Sequence, residues 1–406
     1  MLNTQQREIE KAPAGIFLLY EGLPPTIIES QVIGHVQRMK EVGVEIEIWA
    51  FAVTSQAFAS GKAALVSLRR AYPELVIRLF RGFKPALPFS ETFNAALLIW
   101  HMWRLGEHPV FVRARTEHAT MIASIAKRIM NYQLIWDARG DTASEFTETS
   151  RDFPWYLRCL APLKMRAIKK RIKMSQRQSD YAIFVSEALR DLQIGAMPID
   201  RTMILPCLAD ESLFYFDPNL RERSRNELGY SDNDIVIIYV GSTSIWQCVP
   251  EMVALMEQAM RTHRACKVLI VTPSHERFQR LFSREYQDRI TITTGRLSDM
   301  NRFLNAADLG TLLRKANAIN WVASPVKYGE YSLAGLPVIT TEAIDQINRL
   351  GRYIGNIMTE CDLTDEGLEA RMKKWDRSIV AMKAKESLGS KSHVDEVHKL
   401  YLGCSH

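Results

Sequence analysis

The stretch Ala323-Ser-Pro-Val-Lys-Tyr-Gly-Glu-Tyr-Ser-Leu-Ala-Gly-Leu-Pro-Val-Ile-Thr-Thr341 reads as a helix with both ends specified, running straight into a buried strand. Ser324 is a preferred N-cap, Pro325 suits the first helical position, and Gly335 is the usual C-terminal stop. Pro337–Thr341 has the short, β-rich character of an interior strand. Lys327 and Glu330 are three apart and so share a helix face. A helix N-terminus attracts phosphate through its free N–H groups and dipole, and a cation in the first turn strengthens that pull. A carboxylate one turn deeper, about 5 Å along the axis, can accept hydrogen bonds from the vicinal hydroxyls of a ribose. This is the layout of a nucleotide-diphosphate site. The same two residues also read as an ordinary surface Lys–Glu pair.

Outward from this stretch, strand-like runs alternate with helical patterns over nearly the whole chain. Six fall in the first half, at 15–20, 45–51, 75–80, 109–114, 134–139 and 181–186. Six more fall in the second, at 235–241, 266–272, 290–294, 309–314, 337–341 and 354–359. Amphipathic stretches at 30–41, 118–130, 250–261 and 299–306 lie between them. Such alternation predicts an α/β fold of parallel sheets covered by helices. Two sets of six strands predict two doubly wound domains, 1–203 and 204–406, with the polar segment Asp217-Pro-Asn219 as linker. From about Arg371 the tail reads as helical and then weakly specified, its last helix free to pack back on the first domain.

Composition bounds the function. The chain has 406 residues, 47% of them hydrophobic and 24% charged, and a net charge of +6. That is the make-up of a globular protein with enough length for two cores. Apolar runs are too short for a membrane span, and Met1–Lys11 is too polar for a signal peptide. The six cysteines stand at 159, 207, 248, 266, 361 and 404 with no Cys-x-x-Cys, which argues for a reducing cytoplasm over zinc or disulfide frameworks. No strand is followed by Gly-x-Gly-x-x-Gly and no P-loop occurs, which excludes the common dehydrogenase and NTPase signatures.

Ligands of open α/β sheets sit beyond the carboxyl ends of the strands, so the residues just after each strand matter most. Glu21–Pro25 is a βα turn that either borders a sugar pocket or is an ordinary connection. Arg113-Ala-Arg115-Thr-Glu117-His118 and Trp136-Asp137-Ala-Arg139 end two strands in charge. An Asp there can orient a hydroxyl nucleophile and an Arg can hold phosphate; a structural Asp137–Arg139 pair is the alternative. His118 opens a helix and is a weaker candidate, since lone histidines are more often packing groups. Gly241 and Ser242 offer a small, close-approach phosphate contact, and Arg314 a bidentate cation. Asp232-Asn-Asp234 precedes a strand and reads as an exposed turn rather than a metal site. Between Asp152 and Asp180 stand eight Lys or Arg and no acid, with Leu157, Ala161, Met165, Ile168 and Ile172 at helical spacing. This segment reads either as a helix lying on an anionic membrane or as a solvated face. Aromatics are not interleaved with the charges as nucleic-acid stacking requires.

Taken in order, these signals resemble the GT-B glycosyltransferases of the large retaining group called family 4, over roughly residues 14–345. The most specific segments are Ser324–Glu330 and Ala334–Val338, supported by Ser179–Ser186, Ile204–Asp210, Tyr239–Gly241 and Asn305–Arg314. Asp137-x-Arg139-Gly140 with Glu145 resembles members that assemble polysaccharides. The resemblance implies two Rossmann-like domains facing across a cleft, and sugar transfer from a nucleotide-sugar donor to a glycan or lipid-linked acceptor without a metal or other cofactor. On it, Glu330, Lys327, Arg314, Gly241, Ser242 and Ser324 hold the donor, and Asp137, Arg139 and His118 do the catalytic work. The expected setting is the cytoplasm, at the inner face of the membrane through residues 158–177. The chain departs from the pattern at Val322, where many members carry a first glutamate, and at Ser242 and Ile245–Gln247, where many carry an Arg and a Lys. A catalytically silent scaffold and a nucleotide-sugar epimerase of the same fold therefore stay open as alternatives.

Overall fold

In the computed structural model, residues 14–24, 28–85, 89–243 and 247–404 are described. Pro25, Ile245, Trp246 and the polar Met1–Lys11 lie outside them, as does the side chain of Ser30. The chain forms two compact units. The first comprises residues 1–184, 193–203 and 393–406; the second comprises 185–192 and 204–392.

The first unit is built on β1 (Ala14–Leu19), β2 (Glu45–Ala52), β3 (Ile77–Arg81), β4 (Phe111–Arg115), β5 (Gln133–Ala138), β6 (Tyr181–Phe184) and β7 (Thr202–Ile204). Their order is β3-β2-β1-β4-β5-β6-β7, and the pairings from β3 through β6 are parallel. The second carries β8 (Ile235–Val240), β9 (Cys266–Val271), β10 (Ile290–Thr293), β11 (Leu309–Leu312), β12 (Val338–Thr340) and β13 (Ile357–Met358), in the order β10-β9-β8-β11-β12-β13. Both sheets thus repeat the order 3-2-1-4-5-6 of a dinucleotide-type fold. The order in which strands are added reverses between β1 and β4, and again between β8 and β11, while the strands themselves stay parallel. Loops after those strands splay apart and leave room for a ligand.

Strands buried on both faces explain why the runs are apolar without strict alternation. In β8, Val236 and Ile238 enter one core with Leu304, Tyr331 and Leu336, while Ile235, Ile237 and Tyr239 enter the other with Met256 and Phe278. Alternate side chains leave opposite faces of the sheet, so one strand feeds both cores.

Four expectations need correction. The first sheet has a seventh strand, β7, in the segment read as the close of the first domain. Residues 354–359 form only the two-residue β13, because Asp345–Ile354 is a helix stopped at Gly355 with φ +80°. The tail is not weakly specified: it forms helices Arg377–Leu388 and Val394–Gly403, and Tyr401 in the last of them is fully buried in the first unit. The run 181–186 also ends early. Ser186 Oγ donates to the Val322 carbonyl (2.7 Å) and Gln346 Nε2 to the Val185 carbonyl (2.8 Å), which ties 185–192 to the second unit.

Candidate functional site

In the second unit the site forms at the switch point, after β8 and β11. The helix Val326–Leu333 starts here and points its first turn at Gly241. Its C-terminus is a Schellman stop: Gly335 N–H donates to Ser332 O and Leu336 N–H to Tyr331 O, with Gly335 at φ +74°. Its N-terminus differs from expectation. Pro325 is the capping residue, with no side-chain cap, while Ser324 Oγ accepts the Cys207 N–H at 2.8 Å. Ser324 therefore anchors the loop after β7 and leaves the helix N–H groups uncapped by a side chain.

Lys327 and Glu330 share a face, as their spacing predicts. The Lys327 ammonium lies over the Tyr239 ring, 5.4 Å from its centre, in the space that any β-carbon on Gly241 would need. Tyr239 Oη is fixed on the Ser242 carbonyl at 2.7 Å. Arg314 extends from the end of β11, its Nη1 donating to Gln247 Oε1 and to its own neighbour's carbonyl, both at 2.9 Å. Among the described residues neither Lys327 nor Glu330 makes a side-chain hydrogen bond or ion pair. Two uncompensated charges in one half-buried pocket are costly unless a ligand engages them. Burial, with Arg314 nearby, lowers the Lys327 ammonium to about 8; Glu330 offsets part of this. Burial raises the Glu330 carboxyl to about 7 against the opposing pull of Lys327. Arg314 is likewise lowered by burial. The pocket thus presents two cations for an anion and a carboxylate for hydroxyl donors. Sequence reasoning missed Tyr239, Tyr331 and Gln247, which position these groups. Tyr331 Oη, for instance, accepts the Val240 N–H at 3.0 Å just before Gly241.

In the first unit the ends of β4 and β5 converge, with a different outcome from that expected. Asp137 is completely buried, 3.3 Å from Arg113 Nε and 2.9 Å from Arg139 Nη2. Burial would raise its pKa, but Arg113 and Arg139 outweigh that and hold the carboxylate well below its usual range. Both arginines meet Oδ2, and Oδ1 has no hydrogen-bond partner among the described residues; the carboxylate orients two arginines, which fits the structural alternative. Arg113 also donates to Tyr401 Oη (2.9 Å) and lies 2.9 Å from His35 Nε2. This cluster is what holds the last helix.

His118 follows Thr116, whose φ of +70° is a strained conformation for a β-branched residue. The imidazole is 92% buried by area, packs edge-on to Tyr20, and leaves both ring nitrogens without a hydrogen bond. Burial and then Arg171 lower it to about 4, so it is neutral near pH 7 and suited to hydrogen-bond a hydroxyl. Beside it the buried Glu117 accepts from Thr142 Oγ1 at 3.0 Å.

The basic segment forms helices Trp155–Arg158 and Ala161–Gln178. The residues at helical spacing divide: Ile168 is buried and Ala161, Met165 and Ile172 are half-buried, while Leu157 is exposed, and Arg171 pairs with Glu91 at 2.6 Å. The outward apolar residues are Trp155, Tyr156, Leu157, Leu160 and Leu163, and the remaining seven cations are exposed. Among the described residues no helix is long and apolar enough to cross a membrane, and no cluster of three His, Cys, Asp or Glu residues is arranged to hold a metal ion.

Two dinucleotide-type units, the second with its cation–carboxylate pocket at the switch point, define the GT-B architecture. The sequence matches no known protein family and no curated protein. Solved structures do match. HepE from Anabaena, in complex with UDP-glucose, is 14% identical with a TM-score of 0.67, over 96% of this chain and 99% of that one. WaaG, a glycosyltransferase involved in lipopolysaccharide biosynthesis, is 15% identical with a TM-score of 0.61, over 96% and 100%. A Listeria monocytogenes protein assigned as a UDP-N-acetylglucosamine 2-epimerase is 11% identical with a TM-score of 0.56, over 95% of both chains. At these identities the likeness establishes the two-domain GT-B fold.

Proposed function

We propose that this chain is a metal-independent retaining glycosyltransferase, moving a hexose-type sugar from a nucleotide-sugar to a glycan or lipid-linked acceptor in bacterial surface polysaccharide assembly. The observation that carries the reading is the unpaired Lys327 against Gly241 at the second switch point, with Glu330 beside it on the same helix. Glu330 accepts from the ribose hydroxyls, and Lys327, Arg314 and the uncapped helix N-terminus take the diphosphate, with Ser242 at its edge. HepE, crystallised with UDP-glucose, makes a uridine donor the first to test, and WaaG's part in lipopolysaccharide synthesis suggests the pathway class.

In this reading the acceptor oxygen bonds to the anomeric carbon on the face from which the diphosphate leaves. The sugar–phosphate C–O bond breaks, and the acceptor proton passes to a phosphate oxygen. The part of Asp137 is to aim Arg113 and Arg139; His118 hydrogen-bonds a sugar or acceptor hydroxyl. Stabilising the departing diphosphate supplies most of the rate. The Val322 departure keeps a silent scaffold in view, and the Listeria neighbour an epimerase. Incubation with UDP- and GDP-sugars, N-acetylated and 6-deoxy members included, decides among the three: nucleoside-diphosphate release that depends on added acceptor supports transfer, a new sugar nucleotide formed from donor alone supports epimerisation, and neither with any donor supports the scaffold.

The peripheral-membrane part of the proposal rests on the outward ridge Trp155–Leu163 and its flanking cations. Aromatic and leucine side chains bury in the interface while Lys and Arg meet anionic headgroups. Sedimentation with phosphatidylglycerol vesicles at low salt, weakened by Trp155→Ala with Leu160→Ala, is the expected result. No sedimentation of the unaltered protein removes this part.

A further inference from the structure

A cavity of about 820 Å³ opens in the second unit at the tips of β11 and β12, reached by Arg314. Its walls are formed largely by Ala188, Leu192, Trp321, Val322 and Ala343. Its few polar side chains are mostly committed elsewhere. Thr341 Oγ1 is engaged by the Arg314 backbone, accepting its N–H and donating to its carbonyl at 2.7 Å, and Asn317 Oδ1 caps the Asn320 N–H at 2.8 Å. Arg314 spends Nη1 on Gln247 and Leu313, while its Nε and Nη2 make no hydrogen bond among the described residues. Among the described residues, Arg314, Glu342 and the amide N–H groups of Asn317 are then the side-chain groups left to meet a polar ligand.

We infer that this cavity is the donor-sugar subsite and that it selects a sugar bearing a methyl group, an N-acetylated hexosamine or a 6-deoxyhexose, over the parent hexose. The inference rests on the donor-site reading above. A phosphate held on the free edge of Arg314 directs the group attached to it along the apolar wall. Behind the rim of Leu192 and Trp321, a hydroxyl set against the buried Val322 and Ala343 is desolvated without a side-chain partner there, which is unfavourable, whereas a methyl is buried favourably. One methyl-sized group in such a pocket is worth about 10- to 200-fold in selectivity. Trp321 and Leu192 are about half exposed, so they form the rim and can be replaced without opening the core.

The test is calorimetric titration of the full chain with matched pairs: UDP-glucose against UDP-N-acetylglucosamine, UDP-galactose against UDP-N-acetylgalactosamine, and GDP-mannose against GDP-6-deoxymannose. UDP and GDP alone serve as references. The expected result is at least 10-fold tighter binding of the methyl-bearing member in one pair, lost in Trp321→Ala and Leu192→Asn while the nucleoside diphosphate still binds. Equal binding within every pair, or a preference that survives both substitutions, overturns the subsite with the donor site intact. Failure of UDP and GDP alone to bind overturns the donor-site reading and this inference with it.

Discussion

The Lys327 ammonium occupies the space that a side chain at Gly241 would need. A residue at the end of β8 and one on a helix 86 positions later are thus fitted to each other, with the Tyr239 ring beneath the cation. Gly241 is small because the lysine must reach the mouth of the switch point. Gly241→Ala therefore displaces Lys327 and weakens nucleoside-diphosphate binding by about 10-fold, the scale of one lost charge-assisted contact. Titration of the variant against the unaltered protein checks this, with thermal unfolding as a control for the fold.

Removing either cation tests the leaving-group role. Lys327→Ala and Arg314→Ala each lower turnover by about 10²-fold or more, the scale of losing one preorganised donor to developing charge. Unchanged rates in both variants would remove the phosphate assignment.

Binding of the nucleotide follows a bell in pH. Glu330, raised to about 7 by burial, must be ionised to accept from ribose hydroxyls, so affinity falls below that value. Lys327, lowered to about 8, must be protonated to meet the diphosphate, so affinity falls above it. Kd measured from pH 5.5 to 9.5 should be lowest between about 7 and 8. In Glu330→Gln the acid limb should flatten and the alkaline limb persist.

The same carboxylate destabilises the empty fold. Its folded pKa lies above the ordinary value of 4.5, so the native state holds a proton that the unfolded chain releases. The penalty is small near pH 4, grows as pH rises toward 7, and is fully present above it. Glu330→Gln should therefore raise Tm at pH 8, by a shift corresponding to about 1–3 kcal/mol, and change it little at pH 4.

Tyr401 secures the last helix to the first unit. It stacks on Phe111 at 4.3 Å and meets both Arg113 and His35 with its hydroxyl. Tyr401→Phe should cost about 1–3 kcal/mol by leaving buried polar partners unmet, and Tyr401→Ala about 3–5 kcal/mol. Equilibrium denaturation reads both, and an effect below 0.5 kcal/mol in Tyr401→Ala would contradict the assignment.

The alternation of apolar runs made both sheets legible, because parallel strands buried on two faces need little else. Gly335 as a helix stop and the shared face of Lys327 and Glu330 followed from local rules that tertiary packing left in force. Ser324 misled because its hydroxyl met a distant backbone N–H at Cys207, a competitor that spacing cannot reveal. Asp137 sat at a strand tip with the Asp137–Arg139 pair already one of its two readings, but sequence gave no sign that Arg113 from the neighbouring strand would join them. In the basic segment, helical spacing joined Leu157 to Ile168 as one face, but the fold buries Ile168 and leaves Leu157 outward, because a short helix ends at Arg158 before the helix 161–178 begins. Tyr401 was invisible for the same reason: its partners Arg113 and His35 lie 288 and 366 residues away.

Everything proposed for this pocket rests on Glu330 and Lys327 holding a nucleoside diphosphate. Calorimetric titration of the purified chain with UDP, GDP, CMP and ADP, repeated with Glu330→Ala, tests it most directly. The expected result is micromolar binding of one of these nucleotides, lost in the variant. Absence of binding by all four, or binding indifferent to Glu330, would contradict it.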